Sequence, residues 1–345
     1  MAKKKKEKVV HSTLEAARKA IRKKYGNVIG LMGDNDELII ETVSTGSISL
    51  DAALGRGGLA LGRVYEVYGM PSGGKTTLTM SLISQAQKRG MRCAFVDAEH
   101  SADPKLFKAM GVNTDELITI QAFVGDDNLD ALETLIKTNE IDVAVVDSVS
   151  ALIPKHEAVA EIGDEFMGLL ARLMSKALRK FVPIVSETNT LLIFVNQIRY
   201  KIGGWGDPTT TTGGEALNFY STGRIAVSGG EYKKSWIKEK ITDEVIGHKT
   251  DFHVKKNKLA PPFRNAQVPL IYGVGYDSQW EVLTLAENLG IIEKSGTWYR
   301  YKNENIAQGE ENARDFLKDN DNIYIEIREE VIDLMGLKEL YERNS

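Results

Sequence analysis

The sequence predicts an α/β fold: a mostly parallel central sheet, an N-terminal helical arm and a small C-terminal α+β domain. Three observations carry that reading. Apolar runs of strand length alternate with helix-length segments from about residue 40 to 275. One of those runs meets a helix through the glycine-rich turn Gly69–Thr76. After Tyr272 the alternation gives way to charge-rich helical segments around Trp298, Tyr299, Arg300 and Tyr301.

The N-terminal arm comes first. Leu14, Ala17, Ala20 and Ile21 recur at helical spacing over residues 12–25, behind a cap at Ser12 or Thr13, and Gly26 stops the helix. The first 25 residues carry Lys3, Lys4, Lys5, Lys6, Lys8, Arg18, Lys19, Arg22, Lys23 and Lys24 against Glu7 and Glu15. Such an arm can touch phosphates or an acidic partner, or it can be a solvated helix face; both readings are open. Strands are expected at Arg63–Tyr68, Cys93–Asp97, Leu117–Gln121, Val143–Asp147, Leu191–Asn196, Ile225–Ser228 and Phe252–Lys256. Helices are expected near 76–89, 104–110, 127–138 and 165–182. Runs such as Val143–Val146 suit a sheet covered on both faces. The stretch Gly203–Gly214, rich in Gly and Thr, reads as a mobile or functional loop.

Composition narrows the setting. The chain has 345 residues, 42% of them hydrophobic, and a formal net charge of −4, so it can build a core and does not read as a general nucleic-acid coat. No apolar run approaches a membrane span, and no apolar segment follows the lysine-rich start. The single cysteine, Cys93, lies in an apolar strand and reads as inert. A cytoplasmic protein without membrane partners is expected.

The chemistry centres on Gly69-Met70-Pro71-Ser72-Gly73-Gly74-Lys75-Thr76, which fits G-x-x-x-x-G-K-[ST] and is followed by Thr77. Glycines let the backbone wrap a phosphate at a helix N-terminus. Lys75 would reach the β- and γ-phosphates, and the Thr76 hydroxyl would hold Mg²⁺. Asp147 ends an apolar strand, where a carboxylate either supports the metal or caps a helix. Glu99 follows the strand Cys93–Asp97 and is either the group that polarises attacking water or a surface acid. His100 beside it has no second zinc ligand at sensible spacing. Gln197 ends the strand Leu191–Asn196 and faces the nucleotide. Arg199, Tyr200 and Lys201 then bring charge and an aromatic ring, which suits single-stranded nucleic acid or an ordinary solvated loop.

Taken in order and spacing, Ser44–Asp51, the phosphate loop, Asp97–His100, Val146–Val149, Met167–Leu169, Leu191–Arg199, Thr210–Leu217 and Lys256–Lys258 resemble the bacterial RecA recombinase family. The resemblance runs from about Leu14 to Leu334. It implies a P-loop NTPase core of RecA type. It also implies ATP and Mg²⁺ as cofactors, and helical self-association on single-stranded DNA with homologous double-stranded DNA as second substrate. On it, Glu99 is the catalytic carboxylate, Gln197 the γ-phosphate sensor, and Asp103 and Tyr272 contact adenine. Lys256 and Lys258 reach a neighbour's ATP. Arg172, Ser175, Arg179, Arg199, Gly213 and Gly214 grip the DNA backbone, while Met167 and Ile202 insert between bases. Residues 1–33 become a polymerisation arm, 34–277 the ATPase core and 278–345 the small domain. Departures include Met70-Pro71 for Pro-Glu, Gly73 for Ser, Leu106 for a stacking Tyr, Glu215 for an amide and a longer 229–250 segment. They fit a divergent or bacteriophage-encoded member. The alternative is a hexameric helicase on the same core, which would share the phosphate loop but not the match from Met167 to Leu217.

Overall fold

The computed structural model describes residues 2–26, 29, 40–161, 168–200, 209–239 and 242–344. Met167, Lys201, Ile202 and the side chain of Tyr200 lie outside the described set. Contacts divide the chain into residues 1–40 and 41–345. In the first unit, helix α1 (Ala2–Tyr25) begins ten residues earlier than expected. Lysine and glutamate are good helix formers, so the basic stretch joins the helix without an apolar stripe of its own.

In the second unit, β1 (Thr42–Val43) pairs with β2 (Leu59–Ala60), and α2 (Ile48–Leu54) lies between them in sequence. Sequence periodicity passed over α2. Its caps were legible: the Ser47 side chain accepts from Leu50 N–H, and Gly55 closes the helix at φ 71°. The alternating core follows as β3 (Val64–Gly69), α3 (Lys75–Lys88), β4 (Cys93–Asp97), α4 (Pro104–Ala109), β5 (Ile118–Ile120), α5 (Gly125–Lys137) and β6 (Val143–Asp147). It continues as α6 (Lys155–Ala158), α7 (Leu169–Glu187), β7 (Leu191–Tyr200), β8 (Thr209–Thr211), α8 (Ala216–Tyr220) and β9 (Gly223–Ser228). Strands β10 (Trp236–Lys238), β11 (Val245–Asn257), β12 (Asn265–Ile271) and β13 (Gly275–Tyr276) complete it.

Among the described residues the sheet order is β13-β12-β11-β9-β3-β7-β6-β4-β5, with β8 on β7 and β10 on β11. The run from β5 to β9 is parallel; β11, β12 and β13 add antiparallel strands. The expected strand Phe252–Lys256 is thus the end of a longer one. Its burial alternates from Thr250 to Val254, the signature of a sheet covered on one face. Helix α7 runs to Glu187, past Pro183, although proline removes one internal hydrogen bond. Burial of Phe181 and Val185 on both sides of the proline holds it. Phe181 meets Phe194 of β7 edge-on, with ring centroids 6.4 Å apart.

The C-terminal segment adds α9 (Ser278–Leu289), β14 (Glu293–Ser295), β15 (Trp298–Tyr301), β16 (Glu304–Gln308), α10 (Glu310–Asp319), α11 (Asp321–Leu334) and α12 (Lys338–Arg343). Its apolar core takes in Ile48 of α2 beside Val282, Tyr299, Leu317 and Val331. Two polar ties accompany that packing. Ser47 Oγ donates to buried Glu281 at 2.6 Å, and the Tyr341 hydroxyl donates to buried Asp51 at 2.7 Å.

Candidate nucleotide and DNA site

Parallel register brings the predicted chemistry to one edge of the sheet. Gly69 pairs with Gln197, and Asp97 pairs with Asp147, so four strands end in a row. Ligands of open α/β sheets bind outside such carboxyl ends. Gly69 must be glycine, because a Cβ there would stand 2.0 Å from the Val227 carbonyl oxygen on β9. Gly74 takes φ 100° and opens α3, whose first N–H groups have no partner within the helix. A cleft of about 390 Å³ follows, lined by Ser72, Gly74, Lys75, Thr76, Thr77, His248, Leu270 and Tyr272.

Lys75 Nζ donates to the Met70 carbonyl at 2.7 Å, folding back across the loop. Burial lowers its pKa, while Asp147, Glu99 and Glu231 oppose that shift. Thr76 Oγ1 donates to Asp147 Oδ2 at 2.8 Å. Burial pushes the Asp147 carboxyl up to about 6, with the negative charges of Glu99 and Asp97 adding to the rise. An added cation would reverse that penalty, so the Thr76–Asp147 pair has the donor chemistry of a Mg²⁺ site. Glu99 accepts a hydrogen bond from Ser148 Oγ, and Gln197 Nε2 lies 3.4 Å from the same carboxylate oxygen. The turn that carries Glu99 is shaped by Asp97. Its carboxylate accepts from Ser101 N–H and Ala102 N–H, each at 3.0 Å, and from Gln121 at 2.8 Å. Asp103 is not among the residues lining the cleft; its carboxylate caps α4 through Lys105 N–H at 2.9 Å. Cys93 is buried, and burial pushes its thiol up to about 12.

A second cluster forms on α7. Met174, Ala177, Leu178, Phe181 and Val185 are buried, and Arg172 and Arg179 are exposed on the other side with Ser175 half-buried. Gly213 and Gly214 pack against this helix. A Cβ on Gly214 would meet Ala171 Cβ at 2.8 Å, and one on Gly213 would meet Met174 Cγ at 3.1 Å. Arg199 is exposed but is not in a loop: β7 continues through it, and it pairs with Thr210 of β8. Lys256 and Lys258 are not brought to the cleft of their own chain. Lys256 Nζ donates to the Asn218 carbonyl at 2.5 Å and Lys258 Nζ to the Phe219 carbonyl at 3.4 Å, satisfying the end of α8. Burial, then the Lys258 and Arg224 charges, lower the Lys256 pKa to about 8.

Residues 12–277 match the RecA N-terminal domain family, and residues 280–336 match the RecA C-terminal domain family. The chain belongs to the RecA family. It is 44% identical over 328 residues to Protein RecA of Bacillus licheniformis, covering 94% of this chain and 92% of that protein. It is 47% identical over 324 residues to Protein RecA of Mannheimia haemolytica, covering 93% and 86%. Against Protein RecA of Pseudomonas syringae pv. syringae it is 47% identical over 322 residues, covering 93% and 89%. The match to both RecA domains leaves nothing that favours the ring-helicase alternative.

Sequence reasoning missed several polar groups in this RecA core. Ser148 holds Glu99. Glu66, fully buried on β3, accepts from Asn196 Nδ2 at 2.9 Å and from Arg224 Nε. Arg224 also donates to Asn218, and Asn196 Nδ2 donates to the Thr212 carbonyl at 2.9 Å. A lone acid inside the apolar run Val64–Tyr68 was the available signal, since a buried charge implies a partner. His248, in the cleft wall, left no such trace.

Proposed function

We propose that this chain binds ATP and Mg²⁺ at the phosphate-loop edge of its sheet and couples hydrolysis to a helical filament on single-stranded DNA. As a RecA-family protein it is a DNA-dependent ATPase of homologous recombination, acting in homologous pairing and strand exchange. The observation that carries the nucleotide reading is the convergence of Lys75, Thr76, Asp147, Glu99 and Gln197 on one sheet edge. Lys75 and the loop N–H groups would bind the phosphates. Thr76 and Asp147 would hold Mg²⁺, which supplies charge neutralisation during phosphoryl transfer. Glu99, steadied by Ser148, would orient water, and Gln197 would sense the γ-phosphate. Tyr272 would face the base.

Arg172, Ser175, Arg179, Arg199, Gly213 and Gly214 would line the DNA path, with Tyr200, Lys201, Met167 and Ile202 completing it. Lys256 and Lys258 would act on the ATP of a neighbouring protomer. Residues 1–33 serve as the polymerisation arm, 34–277 as the ATPase core and 278–345 as an accessory domain. Among the described residues no helix is long and apolar enough to cross a membrane. On the RecA-family reading we assign the protein to the cytoplasm.

Negative-stain microscopy with single-stranded DNA and a slowly hydrolysed ATP analogue tests the assembly, and a strand-exchange assay with homologous duplex tests the activity. Helical filaments and ATP-dependent exchange are expected. Closed rings that unwind duplex without pairing homologues would overturn the reading.

A further inference from the structure

Opposite the phosphate loop, the cleft wall is built from β11 and β12, where His248 pairs in register with Leu270. His248 is 1% exposed. Its Nδ1 lies 3.2 Å from the Tyr272 hydroxyl, and the two ring centroids are 5.6 Å apart. The imidazole lines the same cleft as Ser72 and Gly74 of the phosphate loop. Behind it passes the long 229–238 segment. A Cβ on Gly229 would stand 2.6 Å from His248 Cδ2, and Gly229 adopts φ 149°. The Trp236 indole N–H donates to the Gly230 carbonyl at 2.6 Å, fastening that segment, and Trp236 pairs in register with His248. The Gly229–Gly230 turn and Trp236 are therefore packed around one buried ring.

Burying an imidazole is costly unless its polar atoms are used. Here Nε2 is buried without a hydrogen-bond partner among the described residues, and Nδ1 is used on Tyr272, a side chain that is 49% exposed and would otherwise swing about its own bonds. We propose that His248 is a positioning residue for the nucleotide: by holding the Tyr272 hydroxyl it fixes the ring against which the base lies. The site thereby favours a ligand with a nucleobase over a bare triphosphate. This rests on the reading of the cleft as the ATP site.

Isothermal titration of the DNA-free protein with ATP and with inorganic tripolyphosphate, both with Mg²⁺, tests it. His248→Ala should weaken ATP by roughly 3- to 10-fold, the scale of one lost hydrogen bond, and leave tripolyphosphate unchanged. Tyr272→Phe should show the same loss, and the double variant no more than either single one. His248→Asn, whose amide can meet the same hydroxyl, should recover most of the affinity. Additive losses would overturn the proposal. So would an equal loss for tripolyphosphate, which would make the ring a prop for the phosphate loop. Tyr272→Ala separates the two levels. If it binds ATP as the wild type does, the base lies elsewhere, and the cleft reading fails together with the proposal. If it loses affinity while His248→Ala does not, only the role of His248 fails.

Discussion

Glu99 is exposed, yet its carboxylate is held from two sides, by Ser148 Oγ and by the Gln197 amide. A base that must orient water gains from being fixed before substrate arrives. Glu99→Gln should cut ATP turnover by roughly 10²–10⁴-fold, the usual worth of a general base, with ATP affinity kept within a few-fold. A steady-state ATPase assay beside a binding titration checks this, and turnover near wild type would remove Glu99 from the mechanism. Asp51 makes a second residue-scale case. Burial raises its carboxyl to about 7 from 3.8, outweighing hydrogen bonds from Ser44, Thr45 and Tyr341. The folded chain therefore keeps a proton that the unfolded chain releases. The stability this group contributes is full below about 4 and is lost as pH rises through about 7. Asn mimics the protonated form: its carbonyl can accept from Thr45, and its amide can face the Ser44 and Tyr341 oxygens. Asp51→Asn should flatten the decline of melting temperature across that window. An unchanged slope would place the titration elsewhere.

On the proposed reading, strand β7 is the element on which nucleotide and DNA chemistry meet. Asn196 is buried and tied to Glu66 and Thr212, while Gln197 faces Glu99, and Arg199 lies two residues further on. Glu66, which accepts from Asn196, is itself paired with Arg224 of β9, so a buried polar network fixes β7 at Asn196, and beyond Gln197 the strand is paired with β8. Gln197 and Arg199 share a face, being two apart on a strand. Gln197→Ala should bind ATP normally but lose the ATP-induced gain in single-strand affinity. Arg199→Ala should weaken DNA binding with or without ATP and lower the salt slope by about one phosphate contact. Fluorescence anisotropy across a salt series, with ADP and with ATP, distinguishes them. Identical behaviour of the two variants would sink the division of labour.

For the whole molecule the question is what Lys256 and Lys258 do, since in their own chain they close the end of α8 and do not line the cleft. If they serve a neighbour's ATP, Lys258→Ala alone should lose DNA-stimulated hydrolysis and keep nucleotide binding. Mixing Lys258→Ala with Glu99→Gln protomers should recover part of the activity, because some interfaces then pair an intact Glu99 with an intact Lys258. No recovery at any ratio, with co-assembly verified, would argue against a shared site.

The phosphate loop, the acids at the ends of β4 and β6 and the alternating order of the core could be read from the sequence, because that chemistry uses contiguous residues at fixed spacing after apolar runs. The N-terminal helix and the C-terminal α+β segment were legible for a similar reason, from local periodicity and a change in composition. The continuation of β7 through Arg199 was not, because it depends on pairing with β8. The helix expected near 165–182 runs on through Pro183 to Glu187, because burial of Phe181 and Val185 carries it past the proline. Ser148 on Glu99, Glu66 on Arg224, Asp51 under Tyr341 and His248 behind Tyr272 were invisible for one physical reason. Each depends on side chains far apart in the chain: 49, 158, 290 and 24 residues separate the partners. Only strand register and helix packing bring such groups within hydrogen-bonding distance, and a buried polar atom acquires its role from whatever the fold places opposite it.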